Sequence, residues 1–317
     1  MGHLMLGSWS IGVVVPARNE EEHIVSVIET MHSAVDMVVV VNDGSTDHTR
    51  ALAEAAKGPC PVVVIEGGGR GVGSAIDLGH RHLLSTLPKP FISVVMAGDG
   101  QMNPNDLPQL AKPVVEDRAD HVKGNRRHHE AGYNGMPRHR QRASTVLGAF
   151  TTLASGVPVS DPQCGYTATS SKVLESWNWS RSWAGYGYPN FWWINLAREG
   201  WKCEEVPVES IYRNERSGIK KASFFASVGW MMAVEHHRRN LEWLRPPTLL
   251  PHSLFALLAY LLGWSAWLPF ITNDLEQALV LRGIPVAALA MMFWSVAHVF
   301  DRLAARARQE LKERAKT

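Results

Sequence analysis

Three short loops carry the residues best suited to chemistry. The first reads Pro16-Ala17-Arg18-Asn19-Glu20, the second Val41-Asn42-Asp43-Gly44-Ser45-Thr46-Asp47, and the third Ala97-Gly98-Asp99-Gly100-Gln101-Met102-Asn103-Pro104. Each follows an apolar run. Carboxylates in such places suit two tasks: accepting hydrogen bonds from a nucleotide base or ribose, and holding a divalent metal against phosphates. Mg2+ and Mn2+ take oxygen ligands and often bind through one or two carboxylates plus phosphate oxygens. Asp99 and Gln101 are separated by one residue, so in an extended segment both side chains project to the same side. Any one of these residues could serve only as a cap or turn former, and Asp47 suits that plainer role. The three loops together are far more specific than any one.

The runs that precede the loops predict buried strands: Ile11–Pro16, Met37–Val41 and Phe91–Met96, with a further one at Pro61–Ile65. Helices are expected at Glu20–His32, with Ile24, Val27, Ile28 and Met31 on one face, and at Thr49–Lys57. Another follows the glycines at 67, 68, 69, 71 and 73. Alternation of this kind predicts an α/β fold, a mostly parallel sheet covered by helices on both faces. Ligands gather at the carboxyl ends of such strands, so the three loops are expected to converge on one cleft. Beyond them, the pattern predicts a strand near His121–Val122, helices over Arg138–Ser155 and Pro189–Glu199, and a strand within Trp201–Val208. An amphipathic helix is expected over Ser223–Trp243.

The chain has 317 residues, 45% hydrophobic, 9% aromatic and 20% charged, which excludes a disordered protein. A net charge of +2 excludes a polybasic nucleic-acid binder, and no nucleic-acid partner is expected. Cys60, Cys164 and Cys203 have neither zinc-site nor disulfide-framework spacing and suit a reducing compartment. Met1–Ser10 lacks the pattern of a secretory signal.

The averages hide an asymmetry. Eleven of the 12 tryptophans lie after residue 176, and the 55 residues from Pro246 to Phe300 carry only Asp274, Glu276 and Arg282 as formal charges. Leu249–Ile271 is uncharged over 23 residues, and Gly283–Phe300 over 18. As helices they reach roughly 34 Å and 27 Å, against a hydrocarbon core of about 30 Å. Pro251, Pro269 and Pro285 are tolerated better in membrane helices than in soluble ones. Arg238, Arg239 and Arg245 precede the pair, and Arg302, Arg306, Arg308, Arg314 and Lys316 follow it. That asymmetry predicts a two-helix membrane hairpin with both ends cytoplasmic, a multi-pass chain whose preceding α/β domain is cytoplasmic. Trp230, Trp243, Trp264, Trp267 and Trp294 suit interfacial belts. The expected organisation is a domain over 1–222, a juxtamembrane helix and linker over 223–247, the hairpin over 248–301 and a basic tail over 302–317. The alternatives are a pair of buried helices in a soluble bundle and an interfacial, non-spanning pair.

On these motifs the chain resembles glycosyltransferase family 2, with its GT-A nucleotide-sugar-binding fold. Within that family it is similar to the polyprenyl-phosphate glycosyltransferases of the dolichyl-phosphate mannose synthase type. The resemblance covers roughly residues 10–220. It implies that Pro16, Ala17, Asn19 and Glu20 border the nucleotide, and that Asp43 contacts the base. It further implies that Asp99 and Gln101 hold a divalent cation, Mg2+ or Mn2+, with Asp99 also on the donor. Lys123-Gly124-Asn125-Arg126 resembles the family's G-S-R segment, and Arg140 with Ser144 its R-x-x-x-S pair. Together they assign Arg126, Arg140 and Ser144 to an acceptor phosphate. Arginine suits that task through its planar, permanently charged fork. A solvated face is the alternative for Arg140, which lies in a run with Arg138 and Arg142. Asp161-Pro162-Gln163-Cys164-Gly165-Tyr166 resembles a segment near the acceptor and makes Asp161 a candidate base, with loop structure as the alternative. Tyr212–Ser217 resembles the segment that closes over the donor diphosphate. Arg213 is its best match, with Arg216 and Lys220 as alternatives. Ala97 and Asn42 stand where the family pattern has aspartates. The adjacent pairs His128-His129 and His236-His237 make poor metal ligands and are expected to face solvent or headgroups.

The implied reaction is inverting transfer of a sugar from a nucleotide diphosphate sugar to a polyprenyl phosphate at a lipid bilayer. Catalytic roles fall to Asp99, Arg126 and Asp161. A family member with another acceptor (polysaccharide, protein or other lipid) and a non-catalytic nucleotide-sugar-binding membrane protein are the competing readings.

Overall fold

The computed structural model describes residues 8–130, 136, 138–209, 211, 221–244, 251–271 and 283–314. The chain forms two compact units, Met1–Met232 and Ala233–Thr317.

The first unit is built on a seven-stranded sheet. Its strands are β1 (Ser10–Ala17), β2 (Met37–Asn42), β3 (Val62–Glu66), β4 (Phe91–Val95), β5 (His121–Asn125), β6 (Thr167–Ser170) and β7 (Cys203–Pro207), in the order β3-β2-β1-β4-β6-β5-β7. All pairings are parallel except those of β6, which runs against both β4 and β5. The helices are α1 (Ile24–Glu29), α2 (Thr49–Ala55), α3 (Val72–Thr86), α4 (Leu107–Val115), α5 (Arg138–Ser155), α6 (Ser171–Ser176), α7 (Tyr188–Glu199) and the start of α8 (Lys221–Trp243). They cover both faces, which is why β1 and β2 read as unbroken apolar runs. Val13 and Val15 of β1 pack with α1 and α4 residues in one core layer, and Val14 packs with α3 and α7 residues in the other.

The helix expected at Glu20–His32 is shorter, because its first turn is spent on loop contacts. Glu20 N–H donates to Thr49 Oγ1 at 2.7 Å and Glu21 N–H to Asp47 Oδ2 at 3.2 Å. The sequence pattern missed β6, whose Thr-Ala-Thr-Ser stretch shows no apolar run although every residue is buried. It also missed α4 and α6.

Helix α3 packs on β1 through Gly79, where an added Cβ would sit 2.3 Å from Val14 Cγ1. Gly79→Ala is therefore expected to destabilise the protein by about 1–3 kcal/mol through overpacking. The check is a lower urea midpoint at unchanged slope.

The second unit contains the end of α8, α9 (Pro251–Ile271) and α10 (Ile284–Arg314). Phe255 of α9 stacks on Phe293 and Phe300 of α10. Between α8 and α10, Arg239 pairs with Asp301. His236 is buried here, which corrects the expectation that it faces solvent or headgroups. It accepts from Trp294 Nε1 at 3.2 Å and stacks on His298 at 5.0 Å, while His237 is exposed. Adjacent helical residues point about 100° apart, so one of the pair faces inward and the other outward. Among the described residues one stretch, Ile284–Ala304, is long and apolar enough to cross a membrane. Helix α10 continues through the basic segment to Arg314.

Candidate active site

Because β1, β2 and β4 are parallel, the loops that follow them leave the same edge of the sheet. Asn19 adopts a left-handed conformation (φ 56°), tolerated by Asn better than by most residues. There its Oδ1 accepts from Thr46 N–H at 2.9 Å, and its own N–H donates to Ser45 Oγ at 3.0 Å. Asp47 accepts from the Thr49 N–H and hydroxyl and from Glu21 N–H, so its role is capping and loop stapling. The third loop lies against the first: Gly98 N–H donates to Pro16 O at 3.2 Å, and a Cβ on Gly98 would sit 3.1 Å from Ala17 Cβ. The structure thus brings Pro16, Ala17, Asn19, Glu20, Asp43 and Asp99 to one edge.

Asp43 is buried, and its two carboxylate oxygens accept from the backbone N–H groups of Arg70 and Gly71, each at 2.8 Å. It shapes the glycine-rich loop between β3 and α3. Asn42 faces the other way, donating to the Glu66 carboxylate and accepting from Ser45 N–H. Sequence reasoning did not foresee either linkage.

Asp99 Oδ1 accepts from Gln101 N–H at 3.0 Å, which folds the two residues into one tight turn. Among the described residues, no three His, Cys, Asp or Glu side chains converge as a metal cage. One carboxylate and one amide oxygen are nevertheless the hard donors that Mg2+ and Mn2+ take when phosphates and water complete the shell. The residues fit such an ion in the presence of a diphosphate. The loop is braced from behind by Asn103 Nδ2, which donates to Glu209 Oε2 at 2.6 Å, and by Glu209 N–H, which donates to Asp106 Oδ2 at 2.7 Å. Ile211 N–H donates to Gln101 O at 3.3 Å. Arg213, Arg216 and Lys220 lie outside the described residues.

A second cluster forms at the end of β5. Asp161 is wholly buried and takes Arg126 in a bidentate grip, Nε to Oδ2 at 2.8 Å and Nη2 to Oδ1 at 2.9 Å. Its Oδ2 also accepts from Arg126 N–H, and its Oδ1 from Ser144 Oγ at 3.4 Å. Burial pushes the Asp161 carboxyl up, but the Arg126 hydrogen bonds and charge, aided by Lys123, hold it below the ordinary carboxylate range. Arg140 is half-buried one turn before Ser144 on the same side of α5. Arg138 and Arg142 instead share an open groove with Arg127. His128 is exposed. Glu205 and Lys123, which reasoning from sequence left without a role, brace this cluster from below.

Residues 12–177 match the family described as glycosyl transferase family 2, just over half of the chain. A UDP-N-acetylglucosamine–dolichyl-phosphate N-acetylglucosaminyltransferase of Methanococcus voltae is 25% identical over 215 residues, covering 64% of this chain and 86% of the relative. A polyprenol monophosphomannose synthase of Mycolicibacterium smegmatis is 29% identical over 221 residues, covering 67% and 80%. Among solved structures, glucosyl-3-phosphoglycerate synthase from Mycobacterium tuberculosis in complex with UDP superposes with a TM-score of 0.56 at 23% identity, covering 77% of this chain and 83% of that one.

Proposed function

This chain belongs to glycosyltransferase family 2, is a glycosyltransferase and has the GT-A fold, and on that premise we propose that it transfers one sugar from a nucleotide diphosphate sugar to a polyprenyl phosphate, with inversion. The observation that carries the acceptor half is the Arg126 guanidinium, fixed by bidentate contact with Asp161 beside Ser144. The names of the two relatives above support a lipid phosphate as acceptor.

In this reading the acceptor phosphate is already an anion near neutral pH, so no strong base is needed. Asp161, held ionised in its pair with Arg126, is a weak proton acceptor. Its task is to orient Arg126, rather than to act as the base that the motif alone suggested. Arg126, Arg140 and Ser144 place the phosphate oxygen in line with the anomeric carbon. Pro16, Ala17, Asn19 and Glu20 border the nucleotide. Asp43 acts on the base through the glycine loop that its carboxylate holds. Asp99 and Gln101 would hold Mg2+ or Mn2+, which supplies charge neutralisation for the departing diphosphate. Arg213 is the proposed partner in that neutralisation.

We further propose that α9 and α10 form a hairpin in the bilayer with the catalytic domain cytoplasmic. Ile284–Ala304 supports this by length and composition, and its exposed Ile284, Leu289, Met291 and Met292 suit a lipid-facing surface. The expected organisation into domain, juxtamembrane helix, hairpin and basic tail stands as part of this proposal.

The test offers radiolabelled nucleotide sugars with polyprenyl phosphate, with 3-phosphoglycerate, or without acceptor. Label in the organic-extractable product supports the reading. Label confined to a water-soluble product would move the acceptor to another class. Arg140→Ala is expected to raise the KM for polyprenyl phosphate about tenfold while leaving the donor KM unchanged, because it removes one charge-assisted contact. An unchanged acceptor KM would place that phosphate elsewhere.

A further inference from the structure

The geometry points to Lys123 and Glu205 as positioning residues that fix the orientation of the Arg126 guanidinium, an inference that rests on the acceptor-phosphate reading above. The two residues are register partners across the parallel pair β5 and β7. Between them they hold both ends of the loop Ser160–Cys164. Glu205 accepts from Ser160 N–H at 2.9 Å, Ser160 Oγ at 3.1 Å and Asp161 N–H at 3.0 Å. Lys123 Nζ donates to Cys164 O at the other end. The loop lies directly on β5, since a Cβ on Gly124 would sit 3.1 Å from Cys164 Sγ. Its Asp161 then grips Arg126, three residues after Lys123 and just past the end of β5.

Lys123 is wholly buried and cannot reach a substrate. A buried ammonium is costly unless opposite charge surrounds it. The groups facing it are His121 on its own strand, Arg126 just past that strand's end, Asp161 and Cys164 on the loop, and Glu205 on β7. Lys123 and Arg126 thus balance Asp161 and Glu205. Without the ammonium, two carboxylates face one guanidinium and repel each other, and the loop end at Cys164 loses its anchor. Strands are stiff, so charges borne on them set a loop more firmly than loop contacts would. Burial also pushes the Lys123 ammonium down to about 8, where Arg126 stays fully charged.

The experiment measures kcat and both KM values for the full-length protein with polyprenyl phosphate. The variants are Lys123→Met, Glu205→Gln and, as reference, Arg126→Ala. Lys123→Met and Glu205→Gln are expected to raise the acceptor KM about tenfold or more at an unchanged donor KM, the scale of a small misplacement. The wild-type acceptor KM is expected to rise above about pH 8, a limb that Lys123→Met lacks. Should Lys123→Met fail to fold, Glu205→Gln and the wild-type pH profile carry the test. If Arg126→Ala raises the acceptor KM but Glu205→Gln does not and the wild-type profile is flat, the positioning role is overturned. If Arg126→Ala itself leaves the acceptor KM unchanged, the acceptor-phosphate reading fails instead.

Discussion

Asp99→Ala will abolish sugar transfer, lowering kcat by about a thousandfold or more, while the protein unfolds at nearly the wild-type urea concentration. The reason lies in where the negative charge of the reaction appears. The bond that breaks leaves a nucleoside diphosphate carrying added charge. Removing one preorganised group that stabilises such charge costs about 3–4 kcal/mol, or two to three decades in rate. Here the loss should reach the upper end, because Ala97 supplies no second carboxylate to compensate. Stability should hardly change. The Asp99 contact to Gln101 N–H is local, within a half-buried turn whose bracing comes from Asn103, Glu209 and Asp106. Asp99→Asn separates geometry from charge, since its amide oxygen can still accept from Gln101 N–H. It should be nearly as inactive as the alanine variant. Residual turnover within tenfold of wild type in either variant would remove Asp99 from the donor site. Chelation of divalent cations should mimic the loss, with Mn2+ or Mg2+ restoring it.

The catalytic layer of the fold was legible because its signals are local. Met37–Val41 is a strand in any reading, since five apolar residues followed by Asn-Asp-Gly leave little else. The two-faced burial of Val13, Val14 and Val15 follows from the same run. Thr167–Ser170 was illegible for the opposite reason. Its small residues are buried by their place between β4 and β5, which only the assembled sheet reveals. The site divides the same way. Asp99 and Gln101 belong to one short motif, although Gly100 (φ 71°) folds them into a turn rather than the extended segment their spacing assumed. The partners of Asp43, by contrast, are backbone groups 27 and 28 residues later and leave no mark in side-chain type. Arg126 and Asp161 were each identifiable as motif residues, but their union across 35 residues was not. That union supports the proposal that Asp161 orients Arg126. His236 shows the limit of pattern alone, because an adjacent histidine pair has one exposed and one buried member and nothing local says which.

Asp161→Ala is expected to destabilise the protein by about 3–5 kcal/mol at pH 7, the range for breaking a buried ion pair by removing one partner. Asp161 is wholly buried and Arg126 is 18% exposed, so solvent cannot replace the lost carboxylate. Three Arg126 N–H groups and the Ser144 hydroxyl would lose their acceptor together. Asp161→Asn keeps one oxygen of similar shape and should cost less, while still losing acceptor affinity because the guanidinium is no longer gripped at both ends. The pH dependence has a definite sign. The folded carboxyl lies below its ordinary value, so its contribution is fully present above the unfolded value of about 3.9 and fades as pH falls through the folded one. The difference in unfolding free energy between wild type and Asp161→Asn should therefore be flat from neutrality down to about pH 5 and shrink below about pH 4. Denaturant unfolding of both proteins across that range measures it. A gap that stays constant down to the lowest pH at which both fold would mean that Asp161 and Arg126 do not form the pair as an ionised couple.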